Sequence, residues 1–364
     1  MKVATILGTR PEIIRLSLVI QRLDALCEHT LVHTGQNYDP NLSDLFFSEL
    51  GVRAPDELWG IRADGFGAQV GEIVARSEKF LRERRPDRLL ILGDTNSGLA
   101  AIAAARLGVP VYHMEAGNRC FDDRVPEEVN RRIIDHCSTV LLPYTHRSKE
   151  NLLREGFERH RVFVTGNPIW EVIQANRARI DESNALKHLG LAPQEYIVVT
   201  AHRAENVDDP KRLKDILDGL ALVADSFSVP VVVSLHPRTA DKVNKAGLSP
   251  KSSLVRFVTP VGFFDFVNLE QNAMCVMTDS GTVQEEATLL GVPSVILRDV
   301  TERAECLECG SGILSGADPQ QILCSAKAVV GAKHKWAPPA EYLQENVSEV
   351  VASLVMGHRQ ARAA

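Results

Sequence analysis

Short runs that are apolar throughout, each ending in a small-residue turn and followed by a segment of helical period, recur from one end of the chain to the other. They stand at Val3–Leu7, Thr30–His33, Arg88–Leu92, Val109–His113, Thr139–Leu142 and Val162–Val164. After a gap they resume at Tyr196–Thr200, Pro230–Leu235, Leu254–Phe257, Cys275–Thr278 and Ser294–Leu297. A run without polar alternation is a strand covered on both faces, and a helix-length connection forces consecutive strands to pair in parallel. Helices are expected between them, for example at Glu12–Leu23, Gln69–Arg84, Ser97–Arg106 and Glu128–Cys137. The fold class that follows is α/β, with two Rossmann-like doubly wound domains facing a cleft.

At 364 residues the chain exceeds what one ordinary core supports. The gap in the pattern begins at Val164-Thr165-Gly166-Asn167-Pro168, where Pro168 reads as a hinge. We therefore divide the chain into residues 1–168, residues 169–346 and a helical tail, 347–364, that can pack back on the first domain. A net charge of −6 argues against nucleic acid or an anionic membrane as the main partner. The first apolar run is too short for an export signal, and no stretch approaches the roughly 18 apolar residues of a membrane span. The seven cysteines are scattered and odd in number, as in a reduced, cytoplasmic protein. Cys306 and Cys309 form a lone CxxC with no second ligand pair nearby, so no metal is expected.

In sheets of this kind ligands bind beyond the carboxyl ends of the strands, so the residues after each run carry the chemistry. Gly8-Thr9-Arg10-Pro11-Glu12 follows the first and sets Arg10 where an anion can lie. It is not GxGxxG, so a nicotinamide dinucleotide is not indicated. Asp94, in Gly93-Asp94-Thr95, and Glu115, in Glu115-Ala116-Gly117, follow two further runs, and Glu127 opens the helix at Pro126. Asp94 alone could be a helix cap and Glu127 a response to the helix dipole. Three carboxylates converging on one edge are instead how proton removal and return are arranged. In the second half, His202-Arg203 and His236-Pro237-Arg238 follow strands and suit phosphate oxygens. Asp279-Ser280-Gly281-Thr282 runs from a strand into a helix, a pyrophosphate site, and Glu286 stands one turn on, where it can accept both ribose hydroxyls. Arg298 and Arg303 add guanidinium groups.

Together these segments resemble the nonhydrolysing UDP-N-acetylglucosamine 2-epimerases, which share the two-lobed GT-B fold. The resemblance runs in order through GTRPE (8–12), GDT (93–95), EAG (115–117), PEEVNR (126–131), HR (202–203), DSG (279–281), QEEA (284–287) and TER (301–303). It implies inversion at C2 of a UDP-N-acetylhexosamine by loss and re-addition of UDP through a 2-acetamidoglucal, with no cofactor. It also implies catalytic roles for Asp94, Glu115, Glu127, Arg10 and His202. The UDP contacts it implies are Arg10, Arg15, His202, His236, Ser280, Gly281, Thr282, Glu286 and Arg303, in a homodimer. Arg15 stands where the family often has lysine, and Thr282 where it has a second glycine. Gly35-Gln36-Asn37-Tyr38-Asp39 departs from the segment that helps form an allosteric site in some members. The segments GTRPEIIRLS, HTGQNYD and EAGNRCFD are closer to the branch acting on UDP-2-acetamido-2,6-dideoxy-L-talose. A GT-B glycosyltransferase, a hydrolysing epimerase and a non-catalytic UDP-sugar sensor are the alternatives.

Overall fold

The computed structural model describes residues 1–36, 40–235, 237–332 and 335–358. The chain forms two compact units, Met1–Ala175 with Ala340–Ala364, and Asn176–Pro339.

The first unit holds β1 (Lys2–Leu7), β2 (Glu28–His33), β3 (Glu57–Leu58), β4 (Arg88–Leu92), β5 (Val111–Met114) and β6 (Val140–Leu142). They lie in the order β3-β2-β1-β4-β5-β6, all parallel. The second holds β7 (Ile197–Thr200), β8 (Val231–Ser234), β9 (Val255–Val258), β10 (Cys275–Thr278), β11 (Ser294–Ile296) and β12 (Gly312–Leu314), ordered β12-β11-β10-β7-β8-β9. Counted from its own first strand, the second sheet repeats the doubly wound order of the first. Each sheet therefore reverses direction once, between β1 and β4 and between β7 and β10. That switch point leaves a crevice beyond the strand ends, because the flanking helices depart to opposite faces.

Burial explains the apolar runs. All five residues of β4 and all four of β10 are buried. The helix Arg10–Leu26 buries Ile13, Leu16, Val19, Ile20 and Leu23, the repeat of one helical face. Within the first unit, the helix Val347–Gly357 buries Val347, Val351 and Val355, one turn apart. Its Ser348 bonds to Glu171 and Arg22, Arg88 donates to the Val355 carbonyl, and Tyr112 Oη donates to the carbonyl of His358 at 2.6 Å.

Three sequence expectations change. Val162–Val164 makes only an isolated bridge with Leu141 beside β6, at the open edge of the sheet. Pro168 is no hinge: it is buried at the head of the helix Pro168–Ala175, which packs on Arg10–Leu26 and stays with the first unit. Strands β3 and β12 were not anticipated. Their two and three residues are too short to show a pattern, and pairing with β2 and β11 defines them.

Candidate functional site

At the first unit's switch point the turn after β1 begins with Gly8. A side chain there would overlap Ser97 Oγ and Thr34 Oγ1, so only glycine lets the neighbouring turns close together. Thr9 then stands at the N-cap position of the helix Arg10–Leu26, with Pro11 in its first turn. Glu12 Oε2 accepts from Gly8 N (3.1 Å) and Thr9 Oγ1 (2.7 Å), and Thr95 Oγ1 donates to Oε1 (3.2 Å) from the turn after β4. Burial pushes the Glu12 carboxyl up to about 7 against these hydrogen bonds.

One helical turn on, Arg15 Nη1 lies 2.6 Å from Glu115 Oε2, both side chains being buried. The Arg15 guanidinium also sits over the Tyr144 ring. Glu115 follows β5 with φ +68°, a left-handed conformation that a non-glycine residue holds only where its surroundings impose it. Those surroundings are polar and buried. His113 places its two ring nitrogens 2.8 Å from Asp135 Oδ1 and 2.9 Å from the Gly93 carbonyl. Asp135 Oδ2 accepts from Gly117 N and Arg119. Burial acts to raise the Asp135 carboxyl, but His113 and Arg119 outweigh it and hold it below its usual range.

Asp94, after the adjacent β4, takes Arg131 Nε at 2.9 Å and Nη2 at 2.7 Å. Arg131 Nη1 continues to the buried Glu128 at 2.7 Å, and Asn130 Nδ2 donates to the Asp94 carbonyl. The helix Pro126–Cys137 is thus docked on the β4 turn by its second turn. Burial acts to raise Glu128 as well, but the Cys120 amide and Arg131 bring it below its ordinary value. Asp94 and Glu115 therefore end neighbouring strands, each held by its own arginine. Glu127 lies half-buried in the first turn of that helix, and Arg10 places its guanidinium 5.8 Å over the Phe46 ring.

In the second unit the switch point is built on Asp279, which is 0% exposed. Its carboxylate accepts from His202 N (3.1 and 3.0 Å), Arg203 N (2.9 Å) and Asn206 Nδ2 (3.0 Å), fixing the turn after β7 to the end of β10. His202 Nδ1 stands 3.6 Å from Oδ1, and the His202 side chain is 40% exposed. Ser280 stands at the N-cap position of the helix Gly281–Leu290, its Oγ 3.0 Å from Thr282 Oγ1. A Cβ on Gly281 would stand 2.7 Å from Glu302 Oε1. Buried Glu302 takes Arg298 at 2.8 Å, with Arg203 and Arg303 at 3.7 and 3.9 Å, while Arg303 Nε lies 2.6 Å from Glu285. Glu286 is buried farther along the helix, beside Glu270 of the helix Phe263–Gln271. Burial, and then the charge and hydrogen bond of Glu286, hold Glu270 well above the ordinary carboxylate range. His236 falls outside the described residues.

Sequence reading passed over Glu12, Glu128, Arg131, Asp279 and Glu302 as site residues. For Glu12 a signal was available: Thr9-x-x-Glu12 is a capping-box pattern. For Arg131 and Glu128 the spacing i, i+3 on one helix was the only hint. The CxxC thiols are free; burial pushes Cys306 up to about 12, which leaves it almost wholly a thiol.

The UDP-N-acetylglucosamine 2-epimerase family model matches residues 21–356. A UDP-N-acetylglucosamine 2-epimerase of Methanocaldococcus jannaschii is 39% identical over 93% of this chain and 95% of its own. A UDP-2,3-diacetamido-2,3-dideoxy-D-glucuronate 2-epimerase of Pseudomonas aeruginosa is also 39% identical, over 91% of this chain and 93% of its own. Among solved structures, Methanocaldococcus jannaschii UDP-GlcNAc 2-epimerase in complex with UDP-GlcNAc and UDP is similar with a TM-score of 0.93 and 36% identity, covering 97% of this chain and 99% of that one. A glycosyltransferase involved in lipopolysaccharide biosynthesis, 13% identical with a TM-score of 0.60 over 98% of this chain and all of its own, shares the fold alone.

Proposed function

The chain belongs to the UDP-N-acetylglucosamine 2-epimerase family, and we propose that it inverts C2 of a UDP-N-acetylhexosamine, interconverting UDP-GlcNAc and UDP-ManNAc. The observation that carries this reading is the pair Asp94 and Glu115, two carboxylates at neighbouring strand ends, each fixed by a buried arginine. A sensor that only binds a UDP-sugar has no need of two such groups.

In the proposed reaction a carboxylate of the first unit takes the C2 proton while the C1–O bond to UDP breaks, leaving a 2-acetamidoglucal. UDP then re-adds at C1 as a proton is delivered to the opposite face of C2. Asp94, Glu115 and Glu127 serve the proton transfers, each worth typically 10²–10⁴-fold in rate. Arg15 acts through Glu115, whose position it sets. In the second unit the Ser280–Gly281 helix start, Thr282, His202, His236 and Arg303 serve the diphosphate, and Glu286 the ribose. Arg10 assists the departure of UDP. Negative charge grows on the leaving diphosphate, so the cationic groups favour the transition state over the ground state.

The sugar is the finer question, because two relatives of equal identity carry the names of different sugars. GTRPEIIRLS, HTGQNYD and EAGNRCFD support a second reading, UDP-2-acetamido-2,6-dideoxy-L-talose as substrate. We also propose a cytoplasmic homodimer. The odd, scattered thiols suit a reducing compartment. Val129 and Ile133, exposed one turn apart on Pro126–Cys137, offer an apolar face to a second copy.

The test is an NMR time course in deuterated water with each sugar in turn and no acceptor. Epimerisation with deuterium entering C2 is expected. Turnover that retains the original C2 hydrogen removes the elimination route, free sugar with UDP marks a hydrolysing enzyme, and binding without turnover marks a sensor.

A further inference from the structure

Glu12 has no role in the reaction as set out above, yet it is 1% exposed at the first unit's switch point. Its close partners are neutral: the Gly8 and Thr9 amides and the Thr9 and Thr95 hydroxyls. The arginines of the surrounding elements have contacts of their own. Arg10 lies over Phe46, Arg15 is on Glu115, and Arg131 is on Asp94. His33, at the end of β2, accepts from Gly35 N through Nδ1.

We propose that Glu12 is a positioning residue for Asp94, acting as a neutral acid that ties the turn after β1 to the turn after β4. Oε2 accepts from both Gly8 and Thr9, so the acid proton belongs on Oε1, facing the Thr95 hydroxyl one residue beyond Asp94. The hydroxyl accepts that proton as readily as it donates to an ionised carboxylate. Burial to about 7 keeps this form populated at and below neutrality. On ionisation a charge appears in a site whose close partners supply no cation, the tie is traded for hydration, and the β4 turn loosens.

This inference deepens the proposed reaction and rests on it for its kinetic readout. Glutamine copies the neutral acid: its carbonyl oxygen replaces Oε2 and its amide donates to Thr95. Glu12→Gln should keep kcat near wild type at pH 6.5 and lose the fall in kcat that wild type shows as Glu12 ionises. Glu12→Ala should lower kcat about 10- to 100-fold with KM little changed, the effect of misplacing a catalytic group by about an ångström. Amide exchange at Asp94–Ser97 should accelerate about tenfold or more in Glu12→Ala and stay unchanged in Glu12→Gln. A Gln variant that keeps the alkaline fall, or an Ala variant with normal kcat and normal exchange, overturns the proposal. Should wild type fail to turn over any UDP-hexosamine, the functional reading falls while the exchange measurements still decide the tie. If the Ala variant does not fold, the pH profile and exchange of Glu12→Gln decide it.

Discussion

Replacing Asp279 by Asn tests how the second unit's switch point is held. The change is isosteric, so packing is preserved and the effect is electrostatic. With its carbonyl oxygen in place of Oδ2, asparagine keeps the bonds from His202 N, Arg203 N and Asn206 Nδ2, which lie at 2.9–3.0 Å. Each passes from charge-assisted to neutral, a loss of about 1 kcal/mol apiece. The amide nitrogen in place of Oδ1 then faces the His202 N–H, 3.1 Å away, donor against donor. Relief of the desolvation of a fully buried carboxylate offsets part of this, leaving a net loss of about 2 kcal/mol. Urea unfolding reads it out, with Trp59→Phe and Trp170→Phe leaving Trp336, which donates to the Thr288 carbonyl, as the second unit's reporter. At a slope of about 2 kcal/mol per molar, the midpoint should fall by about 1 M. UDP affinity should fall with it, since His202 and Arg203 ride on the same turn. A midpoint shift below about 0.25 M, roughly 0.5 kcal/mol by the same slope, would refute the reasoning.

Arg15→Met leaves the Glu115 carboxylate buried without its arginine and should lower the first unit's stability by about 3–5 kcal/mol. Adding Glu115→Gln should recover most of it, and a single variant as stable as wild type in urea contradicts the ion-pair account. Stability should also fall as pH rises. Burial raises Glu12 from 4.5 to about 7, so the neutral acid's contribution is complete below pH 4.5 and is lost as pH climbs through 7. The full excursion is about 3 kcal/mol, and Glu12→Gln should flatten it. Equal pH dependence in both proteins counts against Glu12 as the source.

Much of the fold was legible because central parallel strands must be apolar on both faces. The runs at Val3–Leu7, Arg88–Leu92 and Cys275–Thr278 coincide with β1, β4 and β10 to within a residue. The edges were less visible. Glu57–Leu58 and Gly312–Leu314 carry no periodicity of their own and become strands through their neighbours. Val162–Val164 is apolar enough to be a strand but stops at a single bridge. At the sites, motif order pointed to the strand-end turns of both switch points, since the glycines and acids that shape a strand end are local. Side-chain partners were hidden because they are long-range. Arg15 and Glu115 are 100 residues apart in sequence, and nothing between them marks the 2.6 Å contact.

In both units the partners of an acid tell which acids tie neighbouring turns together and which are the proposed proton carriers. Asp279 and Glu12 lie in motif segments as prominent as those of Asp94 and Glu115, and on residue type alone all four are candidate bases. Their donors distinguish them. Asp279 and Glu12 each face inward on at least three hydrogen-bond partners drawn from two turns, which leaves little acceptor capacity for a substrate proton. Asp94 and Glu115 are instead each joined to a buried arginine at ion-pair distance, and Glu115 Oε1 also takes the Asn118 amide at 3.4 Å. An arginine at that distance orients the carboxylate it meets. The acids of GTRPE and DSG therefore tie neighbouring turns together, and those of GDT and EAG, each paired with a buried arginine, are the ones we propose for proton transfer.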